Sequence, residues 1–310
     1  MSRAAVIVIG SNSTRRVAAD LCEPDGRVKR GRVETRLFLH MENGLLAEEA
    51  IGETVNGIRE LCKGCDEPLL GIYATSAVRD ARNADRLSEA VEAAFRLPLT
   101  VLSGEEEAAA SFYGAAGEQK AGVIDIGGGS TEIAVGEAGE IFHAVSLQLG
   151  ASRLFAAHPI NRAEDVPAAL RAARDVCAGL DGSLAAHAGI ERFYSVGGTG
   201  TACAGILQRL PRKEAKVEGF TLRRDDVYES LTAIAAVPRE RRAGIPGFPA
   251  SRIDIMPTGM AILVAVMDRL SLKQVTVTER TNGDGLLRIA ARKKALDSAA
   301  RFQYNMIRKT

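Results

Sequence analysis

The sequence predicts an α/β protein made of two domains. Its 310 residues exceed the size at which one hydrophobic core stops growing. Short apolar strands alternate with segments of helical periodicity along much of the chain. Both halves also begin alike, with an apolar strand, a tight glycine and serine turn and a returning strand, at Ala4–Leu21 and Val123–Val135. We therefore predict domains at residues 1–117 and 118–310, with the boundary in the glycine-rich stretch Gly114–Gly122.

The elements of the first half follow from apolar patterns and their breakers. The run Ala4–Ile9 opens a sheet, and Val17–Leu21 returns beside it as an antiparallel strand, before a basic segment at Arg27–Arg36. The remaining predicted elements are helix Ala47–Leu61, strand Leu69–Ala74, a helix capped by Thr75 and Ser76, helix Ala84–Phe95, strand Leu99–Leu102, and a helix from Ser103 through Tyr113.

The second half continues the alternation. Its predicted strands are Val123–Ile126, Thr131–Val135, Arg192–Val196 and Gln274–Thr278. Its predicted helices lie near Ala163–Leu180, Ala202–Leu210 and Gly259–Leu270, followed by a basic terminal helix. Glycine turns are predicted at Gly197–Gly200 and Thr281–Gly285.

Composition and charge exclude several classes of function. Forty basic and thirty-nine acidic residues leave a net charge of +1, unlike the strongly basic surface of a general nucleic-acid binder. The longest apolar run, Met260–Met267, is much shorter than the ~20 residues needed to cross a bilayer, and the N-terminus has no signal-peptide pattern. We expect a cytoplasmic protein that binds neither nucleic acid nor membranes, with a homodimer as the commonest assembly for such chains.

Cysteine and histidine give no sign of a metal or redox centre. The five cysteines lack the paired spacing of a disulfide framework, so reduced thiols are expected. Cys62 and Cys65 form a C-x-x-C pair without a second pair, and we interpret them as ordinary thiols. The four histidines are scattered without ligand spacing, and there is no Walker motif.

The strongest candidate for a phosphate site is a run of glycines after an acidic strand. In Gly127–Thr131, three glycines let backbone amides approach an anion closely, although an ordinary glycine hairpin has the same composition. Asp125 and Glu132 flank the run, so a cation held by either carboxylate would lie against phosphate oxygens. Such oxygen ligands favour Mg²⁺ or Mn²⁺. An unpaired carboxylate on a buried strand is strongly unfavourable, which argues against a merely solvated Asp125.

Three other segments offer anion-binding groups. Gly10–Ser13 has hydroxyls, an amide and backbone donors at a strand end, and Arg15 or Arg16 adds positive charge, although a plain hairpin turn also fits. Thr75–Arg79 places hydroxyls and a guanidinium at a helix start, where a capped helix with a surface arginine is the alternative. Gly197–Thr201 is a further glycine turn before a helix.

The candidate catalytic carboxylate lies in an acidic run at a helix start. Ser103 and Glu106 fit the capping box S-x-x-E, so acids here have a structural role. Glu107 does not complete the box. Beside a bound polyanion, its carboxylate could position or deprotonate an attacking water.

In chain order, these segments resemble the Ppx/GppA family of exopolyphosphatases and guanosine pentaphosphate phosphohydrolases. The matching motifs are Gly10–Ser13 (GSNS), Ala74–Ala81 (ATSAVRDA), Ser103–Ala108 (SGEEEA), Asp125–Glu132 (DIGGGSTE) and Ser195–Thr199 (SVGGT). Further agreement comes from Ser146–Gly150, Ile245–Gly247, Arg252–Asp254 and Gly283–Leu287. The resemblance therefore spans nearly the whole chain.

The resemblance implies a fold and a set of roles. The implied fold is the two-domain actin-like (ribonuclease H-like) fold of the actin, sugar kinase and heat-shock chaperone superfamily, with an interdomain cleft and a last helix that can pack back on the first domain. It makes Glu107 the base or water-positioning residue, and Asp125 and Glu132 the metal or catalytic acids, with Mg²⁺ or Mn²⁺ as cofactor. The motifs and the resemblance together give as candidate phosphate binders Gly10, Ser11, Asn12, Ser13, Arg15, Thr75, Ser76, Arg79, Gly127, Gly128, Gly129, Ser130, Thr131, Gly197, Gly198 and Thr199.

One position departs from the family pattern. The family usually has an acid two residues before the first phosphate-loop glycine, and this chain has Val8 there. Because that acid normally helps to hold the cation, three alternatives are open: Asp125 and Glu132 suffice, the metal binds weakly or arrives with its substrate, or the enzyme is slow.

The expected reaction is in-line attack of water on a terminal phosphoryl group of inorganic polyphosphate or guanosine pentaphosphate. Because the sequence shows no additional helical domain, shorter polyphosphate chains are the favoured form of that substrate. One alternative is a protein that binds polyphosphate or guanosine tetraphosphate with weakened catalysis. The other is an ATPase or kinase of the same superfamily, whose phosphate loops are similar.

Overall fold

A computed structural model describes residues 3–21, 28–187, 189–211 and 213–293 of the chain. Cys22, the first residue of the predicted basic segment and the predicted terminal helix beyond residue 293 lie outside these ranges. None of the helices within them is both long and apolar enough to cross a lipid bilayer.

Strands and helices alternate along most of the chain. The strands are β1 (Arg3–Ile9), β2 (Ser13–Asp20), β3 (Lys29–Glu34), β4 (Met41–Glu42), β5 (Leu45–Leu46), β6 (Leu69–Ala74), β7 (Leu99–Val101), β8 (Ala121–Ile126), β9 (Thr131–Glu137), β10 (Glu140–Leu147), β11 (Phe193–Val196), β12 (Thr221–Arg223) and β13 (Gln274–Val277). The helices are α1 (Glu48–Cys62), α2 (Ser76–Arg79), α3 (Ala84–Phe95), α4 (Gly104–Ala115), α5 (Ala151–Ala157), α6 (Val166–Cys177), α7 (Leu184–His187), α8 (Gly197–Gln208), α9 (Arg224–Ala236) and α10 (Ile255–Arg269). A further helix covers residues 282–293.

The two large sheets repeat one topology, which confirms the α/β class. The first sheet has the strand order β3-β2-β1-β6-β7, and the second has β10-β9-β8-β11-β13-β12. In each sheet an antiparallel three-strand meander is extended by two parallel strands, β6 and β7 in the first sheet and β11 and β13 in the second. The second sheet carries one more edge strand, β12, antiparallel to β13. The weak repeat of the sequence therefore corresponds to two similar sheets. The predicted boundary between residues 117 and 118 stays a prediction.

Apolar residues cover both faces of each sheet. The first sheet packs one face on α1 and α3 through residues such as Ile7, Ile72 and Ile58. The second sheet packs one face on α5, α6, α8, α9 and α10, where Ile124 and Ile133 are fully buried. Parallel strands are normally covered on both faces in this way, and the opposite faces of the two sheets are covered by α4 and the helix 282–293.

Helix α4 lies between the two sheets. Its Phe112 packs on the second sheet, and its Ala110 joins the cluster that covers β1 and β2 of the first sheet. The helix 282–293 returns to the same cluster through Leu286 and Leu287. The two helices approach closely, because a Cβ atom on Gly285 would lie 1.9 Å from the Ala110 carbonyl oxygen.

Several predicted boundaries were wrong for identifiable reasons. The predicted turn at Gly197–Gly200 is the first turn of α8, because Gly197 has a φ of +87° and turns the chain directly from strand to helix. The predicted turn at Thr281–Gly285 is mostly helical, since the Asp284 carboxylate accepts from the Thr281 amide at 2.7 Å and fixes the first turn. Strand β3 was predicted only as a basic segment, and its charged residues are those of an exposed edge strand.

Candidate active site

Four chain segments meet in a small cavity between the two sheets. They are the β1–β2 and β8–β9 hairpin loops and the segments that follow β6 and β11, all of which start at the carboxyl ends of strands. The cavity has a volume of about 60 Å³. Its lining consists of Val8, Gly10, Ser11, Asn12, Ser13, Arg15, Thr75, Ser76, Glu107, Asp125, Ile126, Gly127, Gly128, Ser130, Ala151, Gly197, Gly198, Arg252 and Asn282.

The two hairpin loops have the same geometry. The Gly10 amide donates to the Ser13 carbonyl at 3.0 Å, and the Gly127 amide donates to the Ser130 carbonyl at 3.0 Å. Val8 pairs with Arg15 in the first hairpin, as Asp125 pairs with Glu132 in the second. Val8 and Asp125 are therefore equivalent positions, each two residues before the first glycine of a loop. The departure noted in the sequence removes one of two symmetrically placed carboxylates.

The loops of the two sheets are packed against each other. A Cβ atom on Gly128 would lie 2.4 Å from the Asn12 side-chain amide nitrogen, so this contact requires a glycine. Gly129 approaches Ser76 in the same way, with only 2.3 Å between a Cβ and the Ser76 hydroxyl. The Ser76 hydroxyl is buried and has no hydrogen-bond partner among the described residues. It lines the cavity as a donor for a bound anion.

Glu107 is buried at the cavity wall. Its Oε2 accepts from Arg79 Nη1 at 3.0 Å, and the same Arg79 nitrogen donates to the Leu102 carbonyl at 2.9 Å. Burial raises the pKa of Glu107 to about 7, although the Arg79 guanidinium and the Thr75 hydroxyl act against that rise. A carboxylate with such a pKa can accept a proton near neutral pH, as a general base must.

Asp125 and Glu132 lie beside Glu107, between α4 and the second sheet. Ser111 of α4 donates to Asp125 Oδ2 at 2.7 Å, and Ser146 of β10 donates to Glu132 Oε1 at 2.7 Å. Burial raises the pKa of Asp125, while Ser111 and Arg15 lower it. Burial raises the pKa of Glu132 well above its ordinary value, and the Glu107 and Asp125 carboxylates raise it further.

The acids of this cluster offer few ligands to a divalent cation. Within the described ranges there is no group of three or more His, Cys, Asp or Glu side chains arranged to hold a metal. Asp125 lines the cavity and Glu132 does not, although Glu132 Oε2 is buried without a hydrogen-bond partner among the described residues. Mg²⁺ commonly takes one or two carboxylates and completes its shell with water and phosphate oxygens. Asp125 fits that arrangement.

The cavity contains most of the predicted site residues, but not all. Arg79 contacts Glu107 behind the wall, and the Thr131 hydroxyl donates to the Leu149 carbonyl. Glu132 packs under α4, as described above. Gly129 borders Ser76, and Thr199 is buried against Gly259. These five predicted site residues do not line the cavity, so the structure places none of them against the space that a phosphate would occupy.

Sequence reasoning missed several residues of the site. Arg252 lines the cavity above Gly198, where a Cβ would lie 1.8 Å from its guanidinium, and its only sequence signal was membership in a matched motif. Asn282 and Ser111 had no local signal at all. Arg153 of α5 donates from Nε to the Gly129 carbonyl at 2.7 Å and also pairs with Asp80.

Comparison with known proteins decides the family. The family model described as the Ppx/GppA phosphatase family matches residues 28–292. The chain belongs to the Ppx/GppA phosphatase family. The resemblance read from the five motifs is thereby confirmed.

Solved structures of similar proteins confirm the fold class. The Aquifex aeolicus Ppx/GppA family member is 23% identical with a TM-score of 0.76, covering 94% of this chain and 98% of that chain. An exopolyphosphatase from Cytophaga hutchinsonii is 22% identical with a TM-score of 0.80, covering 92% of this chain and 96% of that chain. The chain therefore has the fold of these Ppx/GppA structures, and its division into two domains stays a prediction.

Proposed function

We propose that this Ppx/GppA protein hydrolyses the terminal phosphoanhydride bond of inorganic polyphosphate or guanosine pentaphosphate. The observation that supports this most directly is Glu107. It is a buried carboxylate with a pKa raised to about 7, held by Arg79 in the wall of a cavity formed by anion-binding loops. A base next to a phosphate-sized cavity is what water attack on a phosphoryl group needs.

The chain's own residues supply positioning and charge. Ionised Glu107 accepts a hydrogen bond from the attacking water and takes its proton as the bond to phosphorus forms, while the phosphoanhydride bond to the leaving phosphate chain or nucleotide breaks. Loop amides, the unpaired Ser76 hydroxyl, Arg15 and Arg252 surround the space where charge spreads over the phosphoryl oxygens. The cavity volume of about 60 Å³ leaves room for a terminal phosphoryl group and few waters.

A divalent cation, Mg²⁺ or Mn²⁺, belongs to the proposal. When bound, it would neutralise charge on the phosphoryl oxygens. Asp125 is the residue placed to hold it, because its carboxylate lines the cavity. Glu132, which lies behind the lining, is proposed to hold a proton, because burial and the neighbouring Glu107 and Asp125 carboxylates raise its pKa.

The test is phosphate release from defined polyphosphates and from guanosine pentaphosphate, with and without Mg²⁺. Glu107→Gln keeps the shape but removes the base, and we expect release to fall by about a hundredfold or more. Glu105→Gln is the matched control, since Glu105 is an exposed acid two residues away on the same helix. Equal rates in wild type and Glu107→Gln would rule out this role for Glu107.

A second candidate function follows from Val8. Its side chain lines the cavity and packs with Val17 and Leu286, where the family usually has a metal-binding acid. The protein would then be a binder of polyphosphate or guanosine tetraphosphate with weak turnover. In that case wild type binds these anions without releasing phosphate, and Val8→Asp gains Mg²⁺-dependent release. Rapid release by wild type, unchanged in Val8→Asp, would contradict this second candidate.

A further inference from the structure

The helix 282–293 begins at the cavity of the candidate active site. Asn282, its first residue, lines that cavity together with Val8 of β1. The helix start packs directly on the first sheet, because a Cβ atom on Gly283 would lie 2.7 Å from Val17 Cγ2 and 3.4 Å from Val8 Cγ2. A helix start therefore adjoins the position at which the family usually has a carboxylate and this chain has a valine.

The Asn282 side chain is buried without a hydrogen-bond partner. Asn282 is only 8% exposed, and its side-chain amide bonds to none of the described residues. Buried side-chain amides normally have partners, because an unmade hydrogen bond in the protein interior costs free energy. A group bound in the cavity that Asn282 lines would supply the missing partner.

The first backbone amides of the same helix are also available. The Asp284 and Gly285 amides donate to the Thr281 carbonyl at 3.0 and 3.4 Å. The Asn282 and Gly283 amides, in contrast, donate to no group in the described ranges. The first amides of a helix carry the positive end of its dipole and bind anions readily. Together with the side chain of its first residue, this helix start therefore offers donors to an anion in the adjoining cavity.

Negative charge near the helix start is largely paired. Asp284, in the first turn, accepts from Arg30 at 2.6 Å. Two carboxylates are among the described residues that line the cavity: Glu107 of α4, which accepts from Arg79 at 3.0 Å, and Asp125 of the second sheet. The lining residues from the first sheet, its loops and the helix start include no carboxylate. This end of the cavity therefore favours an anion over a cation.

We propose that Asn282 and the start of the helix 282–293 bind a phosphoryl oxygen directly, at the end of the cavity where the acid usual in the family would hold a cation. The inference rests on the proposed hydrolase function and concerns the same site. It gives the first-sheet side of the cavity an affinity for a terminal phosphate that does not depend on a divalent cation. A cation at Asp125 is compatible with it, because Asp125 belongs to the second sheet.

The first measurement is calorimetric binding of tripolyphosphate to the Glu107→Gln protein in metal-free buffer. Removing the base prevents turnover, so only binding is measured. Adding Asn282→Ala removes a hydrogen bond to a charged group, and we expect the affinity to fall about tenfold. Asn56→Ala is the matched control, since Asn56 is an exposed asparagine on α1, and it should leave the affinity unchanged. Urea denaturation checks that each variant is folded.

Asn282→Asp distinguishes an anion site from a cation site. The aspartate has nearly the shape of the asparagine, but it is negatively charged and only accepts hydrogen bonds. At an anion site it repels the phosphate, and we expect the tripolyphosphate affinity in metal-free buffer to fall about a hundredfold. At a cation site the same change would strengthen Mg²⁺ binding and, with Mg²⁺ present, would preserve or increase the tripolyphosphate affinity.

The outcomes for this helix start and for the proposed hydrolase can be told apart. Metal-free binding that is weakened in both Asn282 variants would support the helix start even if wild type releases no phosphate, a result that would refute the hydrolase alone. Tripolyphosphate binding that requires Mg²⁺, or an unchanged affinity in Asn282→Ala, would overturn the inference. So would an Asn282→Asp protein that binds both Mg²⁺ and tripolyphosphate more tightly than its parent.

Discussion

Glu107 shows how one buried side chain obtains a pKa suited to catalysis near neutral pH. Desolvation raises its pKa, and the Arg79 guanidinium limits the rise. Without Arg79, burial beside Asp125 would favour the protonated form, which cannot act as a base. In the proposed reaction Arg79 would therefore act through Glu107, and direct phosphate contact by Arg79 stays a prediction.

This role of Arg79 gives a prediction about pH. Arg79→Gln removes the charge that stabilises ionised Glu107, so the pKa of Glu107 should rise further, by about one unit. Because the base must be ionised, the pH at which kcat/KM is half-maximal should move upward by a similar amount. The measurement is a pH–rate profile for phosphate release. Arg86→Gln, which changes an exposed arginine, is the control, and a lower rate with an unshifted midpoint would show that Arg79 acts otherwise.

At the scale of elements, the crossing of α4 and the helix 282–293 depends on small residues. A Cβ atom on Gly114 would lie 2.1 Å from the Thr281 carbonyl oxygen. Gly285 makes the reciprocal approach to Ala110. From the sequence, Gly114 was predicted to lie in a linker and Gly285 in a turn. Local sequence does not show that a glycine is needed where two distant helices come into contact.

The close crossing of α4 and the helix 282–293 can be tested by measuring the free energy of unfolding of glycine variants. Gly114→Ala should lower the free energy of unfolding by about 2–3 kcal/mol, because backbone atoms must move apart. Gly52→Ala in α1 is the matched control, since a Cβ there meets nothing within 4 Å, and it should raise stability by about 0.5–1 kcal/mol. Urea denaturation measures both. Similar changes in the two variants would mean that the helices are not tightly crossed.

The sequence predicted secondary-structure elements and loops better than contacts between distant segments. Strand Leu69–Ala74 and helix Ala84–Phe95 have the predicted bounds, and the capping box of Ser103 and Glu106 is confirmed by bonds of 3.1 and 2.8 Å. These features depend on neighbours in the chain. Arg252 could not be predicted as a cavity residue, because its position above Gly198 arises only when distant segments pack together.

At the scale of the whole molecule, one arginine links the β8–β9 loop of the second sheet to the first half of the chain. The Arg153 guanidinium donates to the Gly129 carbonyl, pairs with Asp80 and lies 5.1 Å from the centre of the Phe38 ring. Asn12 adds a second link by accepting from Ser152 at 3.0 Å. These links join the two sets of loops that line the cavity.

Arg153→Ala should therefore impair the site more than the fold. We expect kcat/KM for phosphate release to fall by about tenfold or more, with a loss of unfolding free energy of about 1–2 kcal/mol. Small-angle scattering should show a larger radius of gyration. Arg162→Ala removes a largely exposed arginine nearby and should change none of these quantities. Unchanged activity in Arg153→Ala would show that the loops hold their positions without it.

The return of the helix 282–293 to the first sheet also has a consequence for biosynthesis. Val6 and Val8 belong to β1, which is translated before the other strands described here, yet Leu286 and Leu287, which help to cover them, are made about 280 residues later. This face of the first sheet stays partly uncovered while the second half is translated, because only Leu102 and α4 are available to cover it. During that interval the nascent chain is exposed to aggregation and is a natural client for chaperones that bind apolar strands.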